Sequence, residues 1–277
     1  MRLFMSFISD TIISFPERVR EFFGFGGYER SPEGFMSWQH LLFVSFFLLA
    51  MVWFGVYFGL RNRHLDDKAK NKVLVVTAIL IDTVELARIV ILCFRNNNPL
   101  DWLYNLPLFL CSLQFITIPL AAFSKGRIRE ASLDFVFIFG ILAAVMGNIG
   151  AGQNYGTYPV LSFDNVFSAI THSISGFASI YIVVSGLASM KKKNMWITFS
   201  IIGAVSAVAY VVDIILPYNY MFLIRDDGTP YSIFYNLVNG NPVLYPVTVV
   251  LLFILYISVF YLVYYMIEKA RARKANG

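Results

Sequence analysis

Seven apolar stretches of roughly twenty residues, separated by short polar loops, constrain this chain more than any motif does. They cover 36–60, 73–94, 103–123, 133–150, 163–189, 196–217 and 243–267. A membrane-spanning helix needs about 20 mostly apolar residues. The pattern therefore predicts an all-α polytopic membrane protein built as a bundle of seven transmembrane helices. Of 277 residues, 58% are hydrophobic and 14% charged, where a soluble domain carries about 25% charged residues. No large soluble domain remains to be placed, and an ordinary soluble enzyme is excluded. Three regions follow: an interfacial segment over 1–35, a membrane domain over 36–267, and a basic tail over 268–277. In the first region Leu3, Phe4, Phe7, Ile8, Ile12 and Phe15 recur at helical spacing, which predicts an amphipathic helix lying in the interface. Pro16 is expected to stop that run, and Asp10 interrupts it in a way that argues against a signal peptide.

Loop charge sets the direction. Alternate loops and the tail carry Arg61, Arg63, Lys68, Lys70, Lys72, Lys125, Arg127, Arg129, Lys191, Lys192, Lys193, Lys269, Arg271, Arg273 and Lys274, against Arg95 and Arg225 in the others. Cytoplasmic loops are enriched in Lys and Arg, so the N-terminus is expected outside and the C-terminus inside. Arg2, Arg18, Arg20 and Arg30 dissent, but Glu17, Glu21, Glu29 and Glu33 accompany them. The net charge of +5 is no nucleic-acid footprint, because the positive residues sit in loops rather than in a stripe. Two cysteines exclude a disulfide scaffold and a cysteine-rich zinc module, and no metal or cofactor is expected. The glycines of GNIGAGQNYG (147–156) follow no strand, so they fail the context of a phosphate loop and read as a flexible outer loop.

Polar residues inside the apolar runs are the functional candidates, because an ionisable group there costs about 2.5–3.5 kcal/mol on insertion scales. The second run places Asp82, Glu85 and Arg88 at three-residue spacing, on one broad helical face. Glu85 and Arg88 can pair, either as a structural lock or as part of a reaction or transport site. In the third run Pro107 is expected to kink a helix one turn before Cys111, with Gln114 close to the same face. A lone cysteine in such a helix ordinarily packs as a small apolar filler, so a partner is needed to give it a role. The fifth run offers His172 among Thr171, Ser173, Ser175 and Gly176. The sixth run leads into Asp213, Asn219 and Tyr220, and His40 opens the first. At 1.5 Å per residue, Cys111 lies about 12 Å, and Glu85 and His172 about 14 Å, below the outer ends of their runs. The inner halves hold almost nothing ionisable. One polar cavity opening outward accounts for this distribution. Cys93 sits too shallow to reach Cys111, since disulfides need Cα atoms about 4.4–6.8 Å apart.

The stretches LPLFLCSL (106–113), THSI (171–174) and NYMFL (219–223), with Glu85 in the second run and His40 opening the first, resemble YwaF-type bacterial membrane proteins. That family is related to the transmembrane protein 164 integral membrane acyltransferases of animals, which remodel ether phospholipids. The resemblance extends over residues 36 to 265 in consistent order. It implies a multi-pass protein of the bacterial plasma membrane acting on phospholipids, with Cys111 as acyl-accepting nucleophile and His172 as its base. One departure stands out: Phe109 occupies a position where the family often has histidine.

Two functional classes follow. The first is a lipid acyltransferase, or a hydrolase if water is the acceptor, working through a Cys111 thioester. Glu85 or Asp213 would orient the imidazole, and Asn219, Gln114 or Tyr220 would donate to the oxyanion. The second is a transporter or a non-enzymatic sensor that uses Asp82, Glu85, Arg88, His172 and Asp213 as a pathway or binding site. The absence of inverted repeats weighs against transport. A retinal protein is excluded, because the last run has no lysine.

Overall fold

The computed structural model describes residues 16–275, all of whose regular structure is helical. The helices are α1 (Glu17–Phe23), α2 (Trp38–Asn62), α3 (Asp67–Arg95), α4 (Gln114–Phe123), α5 (Gly126–Asn148), α6 (Gly152–Thr157), α7 (Phe163–Ser185), α8 (Lys192–Ile215), α9 (Ser232–Leu237) and α10 (Leu244–Ala275). Local chemistry marks several ends. The side chains of Ser37, Asp66 and Ser162 accept backbone N–H bonds from His40, Ala69 and Asn165, satisfying donors left open at a helix start. Gly186, at φ 81°, closes α7 in the left-handed conformation that favours glycine. The interfacial helix expected over residues 3–15 lies outside the described residues. Pro16 does not end a described helix; it occupies the cap position before α1, where a fixed φ and a missing N–H are no handicap.

Five helical stretches are long and apolar enough to cross a membrane: α2, the Gly126–Thr157 stretch containing α5, α7, α8, and α10 as far as Arg273. The other two expected spans depart from the simple pattern. The α3 helix is 29 residues long but carries Asp82, Glu85 and Arg88 midway. The third run forms only the ten-residue α4. Before it, a 3-10 turn at Asp101–Tyr104 leads into irregular backbone up to Leu113. Pro107 does not kink a helix, as expected; it stands in a segment that forms none. Proline disfavours helical backbone at the residue before it and supplies no N–H. Side chains replace part of the ladder, with the Phe109 N–H donating to Ser112 Oγ at 3.0 Å and Asn105 Nδ2 donating to the Asp101 carbonyl at 3.0 Å. Such backbone is tolerated at membrane depth where it is buried in protein or lines a polar cavity.

The most enclosed of the long helices is α7, which packs against α2, α3 and α5. Small residues permit the approach. A Cβ at Gly55 or Gly59 of α2 would come within 2.8 Å of Ile180 or 2.6 Å of Val184, and one at Gly140 of α5 within 2.6 Å of the Ser175 carbonyl. Large apolar side chains such as Phe46, Leu49, Trp53, Leu86, Val208, Ile215 and Leu255 stand exposed around the outside. An apolar surface of that extent belongs against lipid.

Contacts gather the loops at two ends. At one, Asn62 donates to Tyr181, Tyr181 to the Lys70 carbonyl, Asn71 to the Ala122 carbonyl, and Lys191 pairs with Glu130. This is the lysine-rich end. Asp134 near it corrects the expectation that the inner halves hold almost nothing ionisable. It is fully buried and accepts from Ser189, the Met190 N–H, Asn194 and Tyr261, tying α5, α8 and α10 together. At the opposite end Arg95 pairs with Asp164, Tyr220 donates to the Leu103 carbonyl, and Gln153 donates to the Asp227 carbonyl.

Candidate active site

A cavity of about 610 Å³ occupies the lysine-poor end, and Glu85, Arg88, Phe109, Cys111, His172 and Asn219 all line it. Four elements contribute. The α3 helix brings the two charged residues, the irregular segment after Asn105 brings Phe109 and Cys111, α7 brings His172, and the loop after α8 brings Asn219. No lining residue belongs to the lysine-rich end.

Cys111 and His172 face this space from different elements, and no hydrogen bond among the described residues joins them. Among the described residues, no backbone carbonyl engages the N–H groups of Cys111 and Ser112. Both cysteines are free. The His172 Nδ1 lies 2.7 Å from the Ser168 carbonyl. A carbonyl only accepts, so Nδ1 carries the proton and Nε2 holds the lone pair. The group that orients the imidazole is therefore a backbone carbonyl one turn earlier on α7, in place of the expected Glu85 or Asp213 carboxylate.

Glu85 instead accepts a forked pair of bonds from Arg88, at 2.9 Å from Nε and 2.6 Å from Nη2. Arg88 Nη2 also reaches Asn105 Oδ1 at 3.0 Å, linking α3 to the start of the irregular segment. Asn219 is fully engaged within its own loop. Its Nδ2 donates to the Arg225 carbonyl and to Asp227, and its Oδ1 accepts from the Ile224 and Arg225 N–H groups. Asp213 accepts the Tyr220 N–H at 2.7 Å. The Tyr220 hydroxyl donates to the Leu103 carbonyl at 2.6 Å and accepts from the Leu106 N–H at 3.2 Å. Neither Asp213, expected to orient the imidazole, nor Tyr220, expected as an oxyanion donor, lines the cavity; the two brace its wall from behind.

Asp82, Gln114 and His40 do not line the cavity. Asp82 is half-buried, with one carboxyl oxygen unpartnered among the described residues. Gln114 is fully buried and accepts from the Thr117 hydroxyl. His40, also fully buried, takes the Met36 N–H on Nδ1 and lies against Tyr155, with the tilted rings' centroids 4.0 Å apart, anchoring the entry to α2. Phe109 packs among Tyr218, Tyr220 and Phe222, with ring centroids 5.1–6.1 Å apart, as an aromatic shelf on the cavity wall.

Several contributors escaped sequence reasoning. Ser168 could have been found from its position four residues before His172, which shares a helix face. Gly147 could not. The 147–156 stretch, expected as a flexible loop, instead finishes α5 and forms α6. A Cβ on Gly147 would fall 2.0 Å from His172 Cδ2, so the imidazole lies directly against this glycine. The mouth carries a further cluster. Asp164 accepts two bonds from Arg95, at 2.6 and 2.9 Å, and one from Tyr28 at 2.6 Å. Arg95 also reaches the Phe23 carbonyl at 3.4 Å. Burial, and then the bond to Asp164, push the Tyr28 phenol above its ordinary pKa, so the hydroxyl remains a donor. Glu33 accepts the Val160 N–H at 2.7 Å, completing the attachment of the segment before α2.

No curated protein and no solved structure matches the chain. A family model does, over residues 35–267, a stretch that begins just before α2, takes in every residue that lines the cavity, and ends within α10; the chain belongs to the TMEM164 family.

Proposed function

We propose that this chain is a membrane lipid acyltransferase that carries the acyl group on Cys111. The observation that supports it most is the placement of a free thiol and an imidazole with an open Nε2 on one polar cavity, in a chain whose family model spans both residues. His172 Nε2 takes the thiol proton as the sulfur attacks the ester carbonyl of a phospholipid. The N–H groups of Cys111 and Ser112 donate to the oxyanion of the tetrahedral intermediate. Collapse breaks the C–O bond, the imidazolium returns its proton to the departing lysolipid oxygen, and the acyl group remains as a thioester. In the second half His172 removes a proton from an acceptor hydroxyl, that oxygen attacks the thioester, and the thiol regains its proton. Water in the acceptor's place makes the same site a hydrolase.

The proposal includes seven membrane crossings, with α3 and the broken third run supplying the two beyond the five apolar helices, and an outside N-terminus. It places the chain in a bacterial plasma membrane. Residues 36–267 are the membrane domain, 1–35 an interfacial segment and 268–277 a cytoplasmic tail. With the mouth facing outward, the donor is a phospholipid already in the bilayer, because a cytosolic thioester would have to cross to reach it. Transport is disfavoured by a cavity whose lining stays at one end of the bundle. Phe109 makes His172 the single imidazole on the cavity wall, so one base serves both halves of the reaction.

Purified protein incubated with phospholipid bearing a labelled acyl chain should acquire a hydroxylamine-sensitive label. Cys111→Ala should abolish it and Cys93→Ala should retain it. His172→Ala should slow labelling by about 10²-fold or more, the usual worth of a positioned base. A wild-type protein that stays unlabelled with every phospholipid donor and shows no turnover overturns the reading, and a sensor or transport role then takes its place.

A further inference from the structure

We propose that Gly147 is a positioning residue for His172, the floor on which the imidazole is held with Nε2 open to the cavity; this rests on the acyl-transfer reading. The Ser168 carbonyl fixes only the Nδ1 edge of the ring, at 2.7 Å. The Ser168 hydroxyl, at 3.3 Å, reaches the same nitrogen, so both contacts leave the ring free to pivot about that edge, and a second surface is needed to set its plane. The α5 backbone at Gly147 supplies it. An added Cβ there would fall 2.0 Å from Cδ2 and 2.3 Å from both Cγ and Nε2, inside the space the ring occupies. Any side chain at 147 therefore displaces the imidazole or pushes α5 away from α7.

Backbone conformation gives no other reason for glycine at this place. Gly147 lies within α5, one residue before its end at Asn148, and is absent from the glycines with positive φ. Alanine is the better helix former at such a position. The ring and the glycine thus account for each other. Gly140, two turns earlier on α5, provides a contrast: its missing Cβ faces the Ser175 carbonyl and Ser179, a close approach of the same two helices that involves no part of His172.

The test is a double-mutant cycle on the full-length protein in detergent, read by thermal midpoint and by the rate of Cys111 labelling from phospholipid. Gly147→Ala should lower the midpoint in the wild-type background. In the His172→Ala background, where the ring is gone, it should leave the midpoint unchanged or raise it. Gly140→Ala should lower it in both. Gly147→Ala should slow labelling by about 10²-fold, the scale of loss from misplacing a reacting group by about 1 Å. The double variant should label no more slowly than His172→Ala alone. If Gly147→Ala fails to fold, folding of the double variant still supports the contact, and failure of both overturns it. Equal midpoint losses in the two backgrounds, or wild-type labelling by Gly147→Ala, overturn the positioning role while the acyl-transfer reading stands. An unlabelled wild type overturns that reading, and the positioning role with it.

Discussion

At the scale of single residues, the polar groups that line the cavity differ from the groups that hold them in place. Cys111, His172, Glu85 and Arg88 were legible in the sequence because each is out of place in an apolar run, and an out-of-place group needs a reason. Their partners were not legible. The acceptor for His172 is a backbone carbonyl, which every residue has, and the surface beneath its ring is the absence of a side chain at Gly147. Neither leaves a mark on composition or spacing. The same limit applies to Asp134, which stands at the start of a run where charge is ordinary and becomes informative only once four donors surround it. For Glu85 the pairing yields a direct expectation. Glu85→Gln would leave the Arg88 guanidinium without its counter-charge in a partly enclosed site, with only the Asn105 Oδ1 acceptor remaining, and removing one partner of a fully buried ion pair costs about 3–5 kcal/mol, an upper bound here. Thermal denaturation in detergent should show a clearly lowered midpoint. An unchanged midpoint would mean that solvent screens the pair and that it locks nothing.

At the scale of elements, hydrophobic runs located the long helices but missed several ends by six to eight residues, because polar turns such as those opening α3 and α5 and closing α10 continue the helix beyond the apolar stretch. The 103–123 run misled because periodicity reports burial as readily as helix. Its first half is only half-buried, lines the cavity, and is held by tertiary bonds that no local pattern announces. Tyr220 makes two of them, with the Leu103 carbonyl and the Leu106 N–H. Tyr220→Phe keeps the ring against Phe109 but leaves both backbone groups unpaired, and a buried unsatisfied polar group costs about 1–3 kcal/mol. Hydrogen exchange across 103–113 should rise in this variant, and Cys111 labelling should slow, while exchange in α8 and α10 stays as it was. Exchange in 103–113 that matches the wild type would show that the segment is held by something else.

At the scale of the whole molecule, the two ends are built differently. The lysine-rich end is closed by Asp134, its four donors and the Lys191–Glu130 pair. The other end holds the cavity, three arginines and the carboxylates that face them. Loop charge predicts that the closed end faces the cytoplasm. A reporter active only in the cytoplasm should therefore give signal when fused after Gly277 and none when inserted in the 149–162 stretch. The reverse result would turn the cavity inward and make a cytosolic acyl donor the natural one.

The short strap ahead of α2 gives this arrangement one more property. Phe23, Tyr28 and Glu33 lie before residue 35, where the family match begins, yet they are fastened to Arg95, Asp164 and Val160. Arg95 and Asp164 are themselves part of the cavity rim. The stretch that the family model covers is thus tied at the cavity rim to residues that precede it. On the acyl-transfer reading proposed above, the strap and the Cys111–His172 pair lie on separate stretches of sequence, so substitutions in the strap are expected to change access to the cavity while Cys111 and His172 stay in place.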